Sequence, residues 1–234
     1  MKKPDIIFFI LFFLPVILLS QTASEFFKSG EKKYKEGFYV DAILDFTQAI
    51  NAKEKYADAY VYRAMSYSSI GNFQNALDDY NTAIIINPDD ADVYLNRAII
   101  NSNLGKDIEA IEDCNIAIAK DSSRSRAFFV RGYSKYLMKD YPGALKDYSK
   151  SISIQPKYID AFYNRGMTHN VMGNYEAAIN DYSSVIKLSV SDYRAYIARG
   201  MAYARLKKYK EALNDYNKAI EIKPDYANSY YNKA

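Results

Sequence analysis

The sequence repeats itself every 34 residues, and no other feature restricts its fold as much. Blocks beginning at residues 23, 57, 91, 125, 159, 193 and 227 align without a gap. A unit of this length cannot bury an apolar face alone, so the period predicts an array in which each block completes its neighbour's core. Repeat position 4 is aromatic in every block: Phe26, Tyr60, Tyr94, Phe128, Phe162, Tyr196 and Tyr230. Position 8 is small, as Gly30, Ala64, Ala98, Gly132, Gly166, Gly200 and Ala234. Position 20 is alanine from Ala42 to Ala212, position 28 is isoleucine from Ile50 to Ile220, and position 24 is aromatic except at Cys114.

Positions 4, 8 and 11 fall at helical spacing, and so do positions 20, 24 and 28, which predicts two amphipathic helices per block. Facing positions alternate large with small, so a ring from one helix fills the space left by a missing side chain on the other. Gly71, Gly105 and Gly173 at position 15 supply turns between the helices, where a left-handed residue commonly ends a helix. Pro88, Pro156 and Pro224 at position 32 stop second helices, and Pro142 suits a first turn. In the alternate blocks position 32 is Glu54, Ser122 or Val190, and a sharp stop is less expected there.

These residues resemble the tetratricopeptide repeat (TPR), a 34-residue helix-turn-helix with an aromatic at position 4, small residues at 8 and 20, and proline at 32. The resemblance spans residues 23–234 as six complete blocks and the start of a seventh at 227. It implies an all-α fold, a right-handed superhelical solenoid of antiparallel helix pairs whose first helices line the concave side. It also implies a non-enzymatic scaffold for protein–protein interaction. Some members hold acidic chaperone tails with a clamp of lysine, arginine and asparagine. Asn96, Asn164 and Asn232 stand at position 6, but the basic residues that the clamp needs at positions 5 and 9 are missing, which argues against a carboxylate-tail receptor.

His169, the chain's one histidine, lies close in sequence to Arg165 and Asp181 and could form an acid/base group with them. The repeat argues otherwise. Position 7 is Arg63, Arg97, Arg131, Arg165 and Arg199, then Lys233, while position 23 is aspartate in all six complete blocks. A charge pair that recurs six times is architecture, and His169 is one variant at position 11. Pairing each aspartate with position 7 of the following block, from Asp45 with Arg63 to Asp215 with Lys233, leaves none alone, so the ladder is expected to bridge successive blocks. Cys114 is expected to be a buried, inert thiol. No phosphate-cradling glycine loop, metal-spaced histidine cluster or serine elbow appears, so neither enzymatic activity, cofactor nor metal is expected.

Residues 1–22 differ in character. A basic start, MKK, precedes an unbroken apolar run from Ile6 to Leu19. As a helix the run spans roughly 21 Å, short of the roughly 30 Å hydrocarbon core, and it reads as a secretory signal peptide cleaved near Ser20 or Ala23. The chain is thus expected to be exported, to a periplasm or outside the cell, with membrane attachment only if the segment stays uncleaved. The chain's formal charge of +3 is too small and too dispersed for a phosphate-backbone binder, so nucleic acid is not an expected partner.

Positions 5 and 9 lie one turn apart on the first helices, off the packing face. They read Val61 and Met65, Leu95 and Ile99, Phe129 and Tyr133, Tyr163 and Met167, Ile197 and Met201. With Asn96 and Asn164 these form the candidate peptide-binding site: an apolar groove for a helix or extended segment of another protein. The alternative is that they pack on neighbouring first helices. Two other readings stay open. The chain stops at Ala234 inside a seventh block with no polar cap, which suits either a sensory or assembly module of a larger protein or a spacer that self-associates through its uncapped end.

Overall fold

A computed structural model of the chain describes residues 22–225, which are helical with short connections. Residues 1–21, where the expected signal peptide falls, and the opening of the seventh block, with Lys233, lie outside the described residues. Helix α1 covers 22–35. Next along the chain are α2 (Tyr39–Ala52), α3 (Ala57–Ser69), α4 (Phe73–Ile86), α5 (Ala91–Asn103), α6 (Asp107–Lys120) and α7 (Ser125–Leu137). The last five are α8 (Tyr141–Ile154), α9 (Ile159–Val171), α10 (Tyr175–Leu188), α11 (Tyr193–Arg205) and α12 (Tyr209–Ile222). The fold is an all-α helical-repeat solenoid. The residues divide into two compact units after Lys106, between the helices of the third block: α1–α5 in the first and α6–α12 in the second. Among the described residues no helix is long and apolar enough to cross a membrane.

From α3 to α12, first helices occupy repeat positions 1–13 and second helices positions 17–30. The second helices stop at position 30 whether or not proline comes after: α2, α6 and α10, with Glu54, Ser122 and Val190 two residues beyond their ends, stop at the same position as α4, α8 and α12. Lys53, Asn87, Gln155, Ser189 and Lys223 at position 31 all leave helical geometry with ψ between 83° and 92°. Each still donates its N–H to the carbonyl of position 27. Beyond the break, the connection to the next block is anchored in two ways. Tyr56 and Tyr158 at position 34 set their rings 5.0 Å from Phe27 and Phe129. Asp90 and Asp192 at the same position instead accept N–H bonds from Asp92 and Arg194, capping the next helix.

Position 15 is left-handed in all six complete blocks. Gly37, Gly71, Gly105 and Gly173 have φ between 72° and 85°, and Lys139 and Lys207 adopt 65° and 59°. The turn therefore demands the conformation, and two lysines accept the cost of a Cβ in it.

Where position 24 is aromatic and position 8 is glycine, the glycine meets the ring across the hairpin. A Cβ added to Gly166 would stand 2.9 Å from Tyr182 Cε1, and one on Gly200 only 2.7 Å from Tyr216 Cε1. The rings of Tyr80, Tyr148 and Tyr182 are in turn almost wholly enclosed. Burial pushes their hydroxyls well above the usual tyrosine value. In the first unit Tyr80 is surrounded by Ala64, Ala76, Leu77, Ala83, Val93 and Ile100.

The charge ladder differs from the sequence expectation. Arg63, Arg131, Arg165 and Arg199 each bond the aspartate of their own block, not that of the block before. Arg63 donates from Nε and Nη2 to the two oxygens of Asp79 at 2.8 and 2.7 Å, and Arg165 does the same to Asp181 at 2.9 and 2.6 Å. Arg131 with Asp147 and Arg199 with Asp215 repeat the geometry. Asp45, whose block has serine at position 7, takes Lys33 at 2.6 Å instead. The reason is the hairpin: positions 7 and 23 lie eight residues on either side of the turn at position 15, so antiparallel helices bring them to one level.

The same arginines nonetheless tie blocks together through their third nitrogen. Nη1 donates to Thr47 from Arg63, to Asn81 from Arg97, to Asn115 from Arg131, to Ser149 from Arg165 and to Ser183 from Arg199, at 2.7 to 3.1 Å. These acceptors occupy position 25 of the preceding block, sixteen residues back, across the other turn. Each of these guanidinium groups also lies over the position 4 ring of its own helix, as Arg165 does 5.6 Å from the centre of Phe162.

These contacts set the expected stability of variants. Arg165→Leu leaves the buried Asp181 carboxylate unpaired and should cost about 3 to 5 kcal/mol in urea unfolding. Arg131→Leu should cost less, because Lys135 stays 2.7 Å from Asp147. At the turns, Lys139→Gly should raise stability by up to about 1 kcal/mol and Gly173→Ala lower it by about 1 to 2 kcal/mol, read from thermal unfolding.

Candidate functional site

The candidate site is built from first helices, and each unit contributes separately. In the first unit Val61 and Met65 on α3 pack against the cluster around Tyr80. On α5, Leu95 is buried, at 5% exposed, and Ile99 and Asn96 are half-buried. The first unit thus offers these side chains mainly to its own interior.

The second unit is more open. Its three complete hairpins place α9 directly against both α7 and α11, so their position 5 and 9 residues lie on one side of the unit. Position 5 is the inner row. Phe129 lies 5.9 Å from the Tyr148 ring and Tyr163 lies 5.7 Å from Tyr182, so each covers a core ring while keeping part of its own surface in solvent. Ile197 on α11 is likewise half-buried. Position 9 is the outer row: Tyr133 is 38% and Met201 45% exposed, with the half-buried Met167 on the helix between them. Of the expected residues, those of the second unit therefore combine adjacency with exposure.

Asn164 commits one side-chain N–H to its own helix, where its Nδ2 donates to the Asp160 carbonyl at 2.8 Å. Arg194, which the repeat pattern does not single out, also reaches this face: its guanidinium lies 5.3 Å from the Tyr163 ring centre and is held by both oxygens of Asp192. That bonding keeps its pKa above the ordinary arginine value. Repeat position 2 carries no uniform residue type, so the period does not mark it. The signal in the sequence is the short spacing Asp192-x-Arg194, which allows a cap and an ion pair at one helix start.

His169 sits where Lys33 and Lys135 bind their aspartates, and Arg165 donates to both oxygens of Asp181. Its Nδ1 is enclosed without a hydrogen-bond partner. Desolvation lowers its pKa, opposed by the Asp181 charge and reinforced by that of Arg165. Cys114 is fully buried and its thiol is pushed up to about 12 by burial, which leaves almost no thiolate near neutral pH. Among the described residues no three histidine, cysteine, aspartate or glutamate side chains are grouped to hold a metal ion.

The His169 geometry predicts a pH effect of definite sign. Because the folded-state pKa lies below the unfolded value near 6.5, the unfolded chain binds the proton more readily, and stability should fall as pH drops below about 6.5. Imidazole resonances followed by NMR should titrate below that value, and His169→Asn should flatten the stability profile between about pH 5.5 and 7.

Comparison with known proteins agrees with this geometry. Four TPR-family profiles match: tetratricopeptide repeat profiles at residues 57–90 and 193–226, at 79–112 and at 159–189, and a TPR repeat profile at 132–170. Together they cover more than half of the chain. No curated protein matches it in sequence. Among solved structures, PilW, a widely conserved type IV pilus biogenesis factor, is similar with a TM-score of 0.77 at 17% identity, over 86% of this chain and 93% of PilW. YrrB, a TPR protein with an unusual peptide-binding site, is similar at 0.66 and 22% identity, over 81% of this chain and 98% of YrrB. MamA is similar at 0.66 and 23% identity, over 74% of this chain and 94% of MamA. At such identities these structures speak for the fold alone. With a 34-residue period, two helices per block and matching profiles along its length, the chain belongs to the tetratricopeptide repeat family.

Proposed function

We propose that the protein is an exported, non-enzymatic scaffold that holds a helix or extended segment of another protein against the first-helix face of its second unit. TPR proteins are in general interaction scaffolds, and the similarity to YrrB favours a peptide ligand. The observation that carries the reading is the open row at position 9. Tyr133 and Met201 are large apolar side chains left substantially in solvent beside the partly exposed rings of Phe129 and Tyr163. A soluble surface leaves such residues together mainly where something binds. Methionine thioethers adapt to different ligand shapes, and tyrosine supplies rigid apolar area with a hydroxyl that can stay wet. Export rests on the charged start and short apolar run of residues 1–22, and intact-mass measurement of the extracytoplasmic protein tests it.

Binding is tested by replacing Tyr133 and Met201 together with serine. Both side chains are exposed, so circular dichroism and the unfolding midpoint should be nearly unchanged. Recovery of partners from the exported proteome should drop at least tenfold, and a photocrosslinker at Met167 should label the same partners. Undiminished recovery with an intact fold would place recognition on another surface.

A further inference from the structure

The second unit carries an apolar, basic edge that is separate from the first-helix face. Because every hairpin is antiparallel and α7, α9 and α11 lie side by side, the turns within repeats line one edge of the unit. These turns span residues 138–140, 172–174 and 206–208. At this edge Leu137 and Val171, which end α7 and α9, and Met138 and Met172, which open the turns, are 40% to 51% exposed, and Tyr209, the first residue of α12, is 66% exposed. A turn and the helix ends beside it normally carry polar or turn-forming residues, so four large exposed aliphatic side chains at two adjacent bends need an explanation.

Charge gives it direction. The third turn with the helix ends beside it, RLKKYK at 205–210, supplies Arg205, Lys207, Lys208 and Lys210, all exposed, and Lys139 stands in the first turn. Against these five cations residues 137–142, 171–176 and 205–210 set only Asp140 and Glu176, an excess as large as that of the entire chain. In the first unit the corresponding turns carry the exposed Ile70 and Leu104 but no such basic cluster.

We infer that this edge docks on an anionic lipid surface, with the aliphatic tips entering the headgroup region and the lysines meeting the phosphates. A row of protruding tips suits a flat surface, whereas a peptide suits a groove. Apolar tips flanked by lysine and tyrosine are the side chains that reside at a bilayer interface. A nucleic-acid surface would account for the cations but not for the aliphatic residues between them. An acidic partner protein would account for both, and the test separates it from lipid.

The chain contains no tryptophan, so Met172→Trp in the full-length protein places a single reporter at the edge. Vesicles of phosphatidylcholine with about 30% phosphatidylglycerol should shift its emission to the blue, and doxyl-labelled lipid should quench it. Pure phosphatidylcholine should leave the reporter unchanged even if the apolar amino-terminal run inserts. Neutralising Lys207, Lys208 and Lys210 to glutamine should weaken the titration about a hundredfold, at about fivefold per lysine, and salt should weaken it likewise. Met138→Trp repeats the measurement should the first reporter disturb folding, with circular dichroism as the check on both. No shift with anionic vesicles, an equal shift with neutral ones, or indifference to the lysine changes would overturn the inference. A shift that depends on protein concentration without lipid would assign the edge to self-association instead.

Discussion

Most hairpins in the structure depend on one steric substitution: a ring at position 24 fills the place where a side chain at position 8 would have stood. With glycine at that point the two backbones of a hairpin come close enough for Tyr148, Tyr182 or Tyr216 to lie directly against the opposite helix. The rings of Tyr148 and Tyr182 are then sealed from water, and that burial supplies the hydrophobic stabilisation of a block too small to have a core of its own. Ala64 opposite Tyr80 shows that one methyl group is tolerated in the same geometry. The requirement is closeness of approach, with glycine as the tightest solution.

That closeness also determines where charge can be placed. Two antiparallel helices at short range bring residues equidistant from the turn to the same level, so Asp181 faces Arg165 and Asp147 faces Arg131 inside their own hairpins. The guanidinium has five donors in a planar fork, and two of its nitrogens suffice for one carboxylate. The third reaches position 25 of the block before, where a serine, threonine or asparagine oxygen is enough. One residue type thus closes the hairpin and stitches it to its neighbour. A lysine could do only the first, as Lys33 does for Asp45.

With cohesion so internal, the remaining surfaces are free to differ between blocks. The face of α7, α9 and α11 keeps position 5 half in the core and position 9 in solvent. The turn edge of the same unit combines aliphatic tips with lysines while holding the same left-handed backbone throughout. Neither surface is required by the repeat, which explains why they vary from block to block while positions 8, 20 and 28 do not.

From the residues alone the period, the two helices per block, the small-against-large packing and the family could be read, because each is a consequence of spacing and side-chain size. The left-handed turn was legible at its glycines but not at Lys139 and Lys207, whose side chains give no sign of it. The burial of Cys114 was legible too, since it occupies a recurring core position. Tertiary structure decided what depends on distance between elements: that the aspartates pair within hairpins, that Nη1 of each arginine reaches back a block, and that Leu95 is buried while Tyr133 and Met201 stay open. A linear sequence assigns a residue to a helix face. Which neighbour covers that face is set by how closely the helices pack, and that distance appears only once the chain is folded.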